Sequence, residues 1–152
     1  MMIETMTEPE CRTMLAAARA ARLGCALEGQ PYVVPIHVQV EGDFAYAYAT
    51  VGQKIEWMRQ NPKVCLEIDE VTTSQQWASL VIVGQYEELA HTETYAEARM
   101  IAERLFQEHA MWWEPASVPL AGRVQRPPVI FRIRIDRITG RRARPVGHAG
   151  LP

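Results

Sequence analysis

The stretch that decides the fold runs from residue 30 to residue 62 and reads QPYVVPIHVQVEGDFAYAYATVGQKIEWMRQNP. Residues 32–40 are rich in β-formers, and residues 44–48 alternate aromatic rings with alanines, so both predict strands. A turn at 41–43 joins them, and a short helix follows Gly52 until Asn61-Pro62 stops it. Strands joined by tight turns favour an antiparallel sheet over a doubly wound α/β sheet.

Outside this stretch the sequence predicts further strands and two longer helices. Thr7 and Glu10 form a capping box that starts a helix, which we expect to run to about Arg22, end at Gly24 and lead into a short strand over 25–27. Further strands are predicted over 64–68, 80–84 and 129–138, and a helix over 92–109. The expected fold is mainly β with α (α+β), a six-stranded antiparallel β-barrel with flanking helices. Residues 1–140 would form one domain, and residues 141–152 a mobile basic tail.

Composition excludes several classes of function. The chain has 152 residues, of which 48% are hydrophobic and 22% charged, with a net charge of −2. This balance is typical of one globular domain and gives no sign of a nucleic-acid or membrane partner. The three scattered cysteines and the lack of a signal peptide predict a cytoplasmic protein without disulfides. Neither a metal-ligand spacing nor a G-x-G-x-x-G or Walker motif is present.

Lys54 is the residue that first suggests a ligand. It lies in the first turn of the helix that follows Gly52, where a positive charge opposes the helix dipole. A bound anion would reverse that penalty, because free backbone N–H groups and Lys54 would both face it. A solvated surface lysine is the other interpretation, and the local pattern alone leaves both open.

The combination of motifs points to a family. The proline-bearing strand 31–36, the aromatic strand, and residues 52–65 (Gly-Gln-Lys, a short helix, then Asn-Pro-Lys-Val-Cys) closely resemble the pyridoxamine 5'-phosphate oxidase-like flavin-binding proteins. The resemblance implies a split barrel that binds flavin mononucleotide (FMN), with the phosphate against Lys54 and Gln53. Many members of the family carry arginine where this chain has Gln53, so one cation is missing. The full set of implied cofactor-binding residues is Val34, Pro35, Ile36, His37, Tyr48, Ala49, Thr50, Gln53, Lys54, Ser79 and Trp113.

Several of these residues also have a purely structural interpretation. Pro35 should sit on an edge strand or at a break in strand pairing, which would leave backbone groups free for the flavin. Ser79 fits either a flavin contact or a solvent-facing strand hydroxyl. His37 fits a proton donor, but a barrel-mouth histidine with a backbone partner is favoured. Trp112 and Trp113 would stack on the flavin of a partner subunit or simply pack in an interface.

The resemblance implies an FMN-binding oxidoreductase with an unknown small-molecule substrate. No catalytic residue is assigned, since the flavin would supply the redox chemistry. The alternatives are a non-catalytic flavin- or haem-binding protein of the same fold and a deazaflavin-dependent reductase. The arginine-rich end at 141–145 lacks the Arg-Leu-x-Pro pattern of the family's oxidases. Exposed sheet edges and many aromatic residues predict a homodimer, and the family resemblance implies that its flavin sites lie at the interface.

Overall fold

In the computed structural model, residues 1–109 and 128–147 are described, and they form one antiparallel sheet of eight strands with three α-helices. The strands are β1 (Met2–Thr5), β2 (Ala20–Leu27), β3 (Gln30–His37), β4 (Gln39–Glu41), β5 (Phe44–Ala49), β6 (Lys63–Thr73), β7 (Gln76–Glu88) and β8 (Val129–Arg144). The helices are α1 (Glu8–Ala17), α2 (Gln53–Gln60) and α3 (Ala96–Glu108), and a 3-10 turn at Glu93–Tyr95 leads into α3. The mainly antiparallel α+β barrel is as predicted, with eight strands where six were expected.

The strand β8 joins the two halves of the sheet. The order is β3-β2-β6-β7-β8-β5-β4, and β1 pairs with the end of β8. Phe131, Ile133 and Ile135 of β8 are buried, as their alternation predicts. The register between β7 and β8 shifts at Asp136. Val83 pairs with Arg137 and the next residue, Gly84, pairs with Ile135, so Asp136 is left as a bulge. Such a bulge bends the strand and helps the sheet to curve on itself.

The alternating strand β5 serves two hydrophobic clusters, one on each face. Ala45 and Ala47 lie in the main core, where their small side chains pack among residues such as Phe131. Tyr46 points the other way and packs with Phe44 against the buried face of α3. The predicted placement of three rings on one face is thus seen, with α3 covering that face.

The first helix is shorter than predicted. It carries the predicted capping box of Thr7 and Glu10 but ends at Ala17, and β2 begins at Ala20. The stretch expected to close the helix instead pairs with β3 and β6, and Gly24 lies in the middle of β2 opposite Cys65. Sheet pairing on both sides outweighs the helical spacing of the alanine-rich segment, a tertiary effect that local propensity does not contain.

The proline-bearing strand β3 is an edge strand of the sheet. An edge strand is one of the two positions predicted for Pro35. The ladder of β3 with β2 is continuous from Gln30 to His37, so the predicted break in pairing at Pro35 is wrong. An unbroken ladder requires the nitrogens of Pro31 and Pro35 to face away from β2. The backbone groups that are open at Pro35 are therefore those of a sheet edge.

The last strand is longer than predicted. β8 was expected to end at residue 138, but it continues to Arg144 and pairs there with β7 and β1. Part of the segment expected to be a tail is therefore in the sheet, and residues 148–152 lie outside the described residues. Among the helices of residues 1–109 and 128–147, none has the length and apolar character needed to cross a bilayer.

We expect Gly84→Ala to destabilise the fold. A Cβ at this position would collide with the backbone carbonyl oxygen of Arg134 and would lie 2.8 Å from Cγ2 of Ile133. Overpacking against backbone costs about 1–3 kcal/mol, which urea unfolding would measure. Gly147→Ala is the matched control, because nothing lies within 4 Å of its added Cβ. Equal stability of the two variants would contradict the close approach of β7 and β8.

Candidate functional site

The start of α2 is an exposed, uncapped helix N-terminus. Gly52 occupies the N-cap position and offers no side chain to the first turn. Its carbonyl accepts from the N–H of Glu56 at 3.1 Å, whereas helix geometry leaves the N–H groups of residues 53–55 without intrahelical acceptors. Ile55 and Met58 are fully buried and fix the helix on the core. The structure thus has the exposed helix N-terminus that the sequence predicts, and such a terminus is favourable for an anion.

Lys54 adds a positive charge to this helix start. It is half-buried, and within residues 1–109 and 128–147 no carboxylate lies within 4.0 Å of its ammonium group. Burial raises the pKa of the Cys25 thiol on β2, and the nearby charge of Lys54 opposes that rise. The charge of Lys54 is therefore felt at β2 as well as at the start of α2. Gln53, beside it, is exposed.

The end of β5 brings Tyr48, Ala49 and Thr50 up to the same helix. The ring of Tyr48 packs edge-on against Phe106 of α3, with 4.8 Å between the ring centres. Ala49 packs against the main core, and Thr50 is exposed. Residues 48–54 therefore form one continuous strand-to-helix corner, as predicted, although the Tyr48 ring faces α3.

On β3, the four predicted residues split between the two faces of the strand. Ile36 is buried and Val34 packs against the main core, whereas Pro35 and His37 lie on the other face. Burial lowers the pKa of His37, and a hydrogen bond with the backbone of Arg19 opposes that shift. The imidazole is therefore held largely neutral at neutral pH, with the backbone partner that one of the two predictions expects.

Ser79 lies on β7, and β2 and β6 separate it from β3. It is half-buried and stands opposite Asp69 on one side and Arg141 on the other. One protomer therefore brings residues 48–54 together and leaves Ser79 and the β3 residues on other strands. Trp113 and its neighbour Trp112 lie outside the described residues.

An open cavity of about 610 Å³ lies on the outer face of β3, β2, β6 and β7. Its floor is Gly24, where a Cβ would lie 2.6 Å from the Sγ of Cys65, and Val33 and Val83 stand at its sides. None of the predicted cofactor-binding residues that the structure describes lines it. The sequence analysis missed this surface, because it is made by cross-strand neighbours that are far apart in the chain.

The sequence analysis also missed a cluster at the other end of α2. Arg59 donates to both carboxylate oxygens of Glu88, at 2.7 and 3.1 Å, and the Tyr86 hydroxyl donates to the same carboxylate at 2.7 Å. Hydrogen bonding from Arg59 holds the pKa of Glu88 below its ordinary value, burial opposes this, and the Tyr86 hydroxyl adds to the lowering. Burial and the Glu88 carboxylate raise the pKa of Tyr86.

The comparisons with known proteins agree with this architecture. The family model described as pyridoxamine 5'-phosphate oxidase matches residues 7–142. Protein RA0666 of Rhizobium meliloti (strain 1021) is 38% identical over 146 residues, which are 94% of this chain and 97% of that protein. The crystal structure of an FAD-binding protein (mll6688) from Mesorhizobium loti is 40% identical, with a TM-score of 0.79, over 94% of this chain and 99% of that chain.

A more distant structural relative is described as binding a different cofactor. A haem-binding protein from Mycobacterium smegmatis is 15% identical, with a TM-score of 0.63, over 93% of this chain and 54% of that chain, and at this identity it shows the fold alone. The class of protein is thus a split β-barrel whose structural relatives include a flavin-binding protein. This chain belongs to the pyridoxamine 5'-phosphate oxidase family.

The lowered pKa of Glu88 predicts a pH-dependent stability. A carboxyl whose pKa is depressed by folding stabilises the protein above its unfolded pKa, near 4.5, and loses that contribution as the pH falls below it. The difference in free energy of unfolding between the wild type and Glu88→Gln should therefore shrink below about pH 4.5. Urea unfolding at neutral and acidic pH measures it. A difference that stays constant with pH would show that Arg59 does not depress this carboxyl's pKa.

Proposed function

We propose that this protein binds a flavin whose phosphate lies at the N-terminus of α2, and that it works as a flavin-dependent oxidoreductase. The observation that carries the proposal is Lys54, a half-buried residue in the first turn of α2, where helix N–H groups lack intrahelical acceptors, with no carboxylate partner among the described residues. An isolated cation in that position is unfavourable, and a phosphate would satisfy both the lysine and the helix dipole. Family membership supports a flavin as that ligand.

The roles proposed for the chain are binding and orientation. Lys54 and the first-turn N–H groups would hold the phosphate, while Thr50 and Gln53, both exposed at the same corner, offer hydrogen bonds to the phosphate and ribityl chain. The exposed edge of β3 offers backbone groups to the ring. When bound, the flavin would supply electron and hydride transfer. Gln53 provides a neutral contact, so most of the electrostatic attraction falls to Lys54.

FMN and FAD share the phosphate that this site would hold. FMN is the simpler ligand, because a helix N-terminus and one lysine match a single phosphate group. The 40% identical Mesorhizobium loti structure is described as an FAD-binding protein, which favours FAD as the second candidate. Heat release of the cofactor from the purified protein, followed by chromatography against both standards, identifies the native one. A Soret band in the visible spectrum in place of flavin absorbance would overturn the proposal in favour of haem.

Lys54→Ala should weaken FMN binding by about 1.5–3 kcal/mol, roughly 10- to 150-fold, because a charge-assisted phosphate contact is lost. Quenching of flavin fluorescence in titrations of the apoprotein measures the affinity. Riboflavin lacks the phosphate, so it should bind the wild type more weakly than FMN and should be insensitive to the substitution. Arg104→Ala is the matched control, because Arg104 is an exposed cation on α3 whose ion pairs are with Glu41 and Glu108. An unchanged FMN affinity in Lys54→Ala would exclude the phosphate site.

We further propose that the protein is a homodimer whose two copies pair through the outer face of the sheet. The register aligns Val33, Gly24, Cys65 and Val83 in one row across four strands. Val33 is 64% exposed and Val83 39% exposed. Aligned, exposed apolar residues around the open cavity are what an interface core requires.

The charges on this face support a second copy as the occupant. Glu67 and Asp69 on β6 both pair with Arg22 on β2, at 2.7 and 2.6 Å, whereas Arg137 and Arg141 lie on β8, beyond the side chains of β7. Val81, in the middle, is 46% exposed. With Arg22 the two carboxylates keep one net negative charge, and a two-fold rotation that brought them opposite Arg137 and Arg141 of the other copy would add attraction between the copies. Such self-complementarity is what a symmetric interface needs.

Val83→Lys should therefore dissociate the dimer, because it places a charge in the apolar centre of the interface. Light scattering coupled to size-exclusion chromatography at micromolar protein measures the mass. Met100→Lys is the matched control, since Met100 on α3 is 70% exposed and away from this face. A wild-type protein that is monomeric with flavin bound, or a Val83→Lys variant that stays dimeric, would overturn this arrangement.

A further inference from the structure

The C-terminal end of α2 is fastened to the sheet by a chain of polar contacts. Arg59, in the last turn, donates two hydrogen bonds to Glu88 at the end of β7, at 2.7 and 3.1 Å. Glu88 also accepts from the hydroxyl of Tyr86 at 2.7 Å. Paired, two-point contacts of this kind fix orientation as well as distance.

The groups behind this contact are themselves rigid. Tyr86 is buried, its ring lies 5.3 Å from that of Phe131, and its backbone N–H donates to the carbonyl of Pro62 at 2.8 Å. Asn61, which caps the helix, donates from its side chain to the carbonyl of Ala26 on β2 at 2.9 Å. The end of α2 is therefore tied to both β7 and β2.

Within the part of the chain that the structure describes, the opposite end of α2 has no comparable polar contact with the sheet. Gly52 makes no side-chain cap, and Ile55 provides the apolar anchor of the first turn. A helix of eight residues is about 12 Å long, so a tilt of about 10° around its C-terminal end would move the first-turn N–H groups by about 2 Å. A shift of that size would break hydrogen bonds to a phosphate, whose acceptable distances span a few tenths of an ångström.

We propose that Glu88, together with Arg59 and Tyr86, is a positioning residue for the flavin phosphate, although it lies at the other end of the helix from it. This inference rests on the proposed phosphate site at Lys54. The carboxylate sets the angle of α2 on the sheet, and that angle aims the free N–H groups and Lys54 at a single point. The cluster lies at the opposite end of α2 from Lys54, so its influence on a phosphate there would pass through the helix.

The test compares two ligands that differ only by the phosphate. Glu88→Gln should weaken FMN binding about fivefold or more, the scale of a lost hydrogen bond, and leave riboflavin affinity within about twofold. Tyr86→Phe keeps the ring and removes only the hydroxyl, so it should lower the same FMN-to-riboflavin ratio. If Glu88→Gln does not fold, the FMN-to-riboflavin ratio of Tyr86→Phe alone tests the proposal. Arg104→Gln is the matched control, because Arg104 on α3 pairs with Glu41 and Glu108 in a similar exposed ion pair.

The outcomes separate this inference from the proposed function. If the wild type prefers FMN to riboflavin and neither variant changes that preference, the positioning role is wrong while the phosphate site stands. Equal losses for both ligands would likewise overturn it, since they indicate general loss of structure. If the wild type binds both ligands equally, the phosphate site at α2 is wrong and the inference falls with it.

Discussion

The pairing of β8 with three other strands is the constraint on which the rest of the structure depends. Its first half pairs with β5, its long middle with β7, and its end with β1. The bulge at Asp136 separates the stretch that pairs with β5 from the stretch that pairs with β1. Because β8 lies between β7 and β5 and pairs with both, it also fixes where the chain leaves β5 and begins α2.

The corner between β5 and α2 is thereby held from two sides. Ala45 and Ala47 are small enough to let β5 lie close to the core. Tyr46 and Tyr48 pack against α3 on the opposite face. The helix that follows is anchored by buried Ile55 and Met58 and by the polar cluster at its far end. The one end left open is the N-terminus, where a bound anion would be stabilised by the helix dipole.

The local chemistry of this corner could be predicted from sequence because it is contiguous. Gly52, Lys54 and the Asn61-Pro62 stop lie within eleven residues, and propensity alone places a helix between them. The Arg59–Glu88–Tyr86 cluster could not be predicted, since its partners are 29 residues apart and meet only when α2 packs on β7. The row from Val33 to Val83 depends in the same way on cross-strand register.

The boundary between α1 and β2 shows where local reasoning fails. Residues 16–22 are rich in alanine and continue the helical spacing, yet β2 takes over at Ala20 because pairing with β3 and β6 satisfies its backbone on both sides. The continuous ladder at Pro35 has a similar origin, since an edge position already accommodates a missing N–H.

The sequence by itself determined the fold class, the family, the two-faced strand β5 and the charged helix start, because each is written in neighbouring residues. The tertiary structure decided what covers each face of β5, where α1 ends and β2 begins, which strand joins the two halves of the sheet, and which carboxylate contacts the end of α2. The physical reason is that hydrogen-bonded register and side-chain burial join residues tens of positions apart, and no local propensity carries that information.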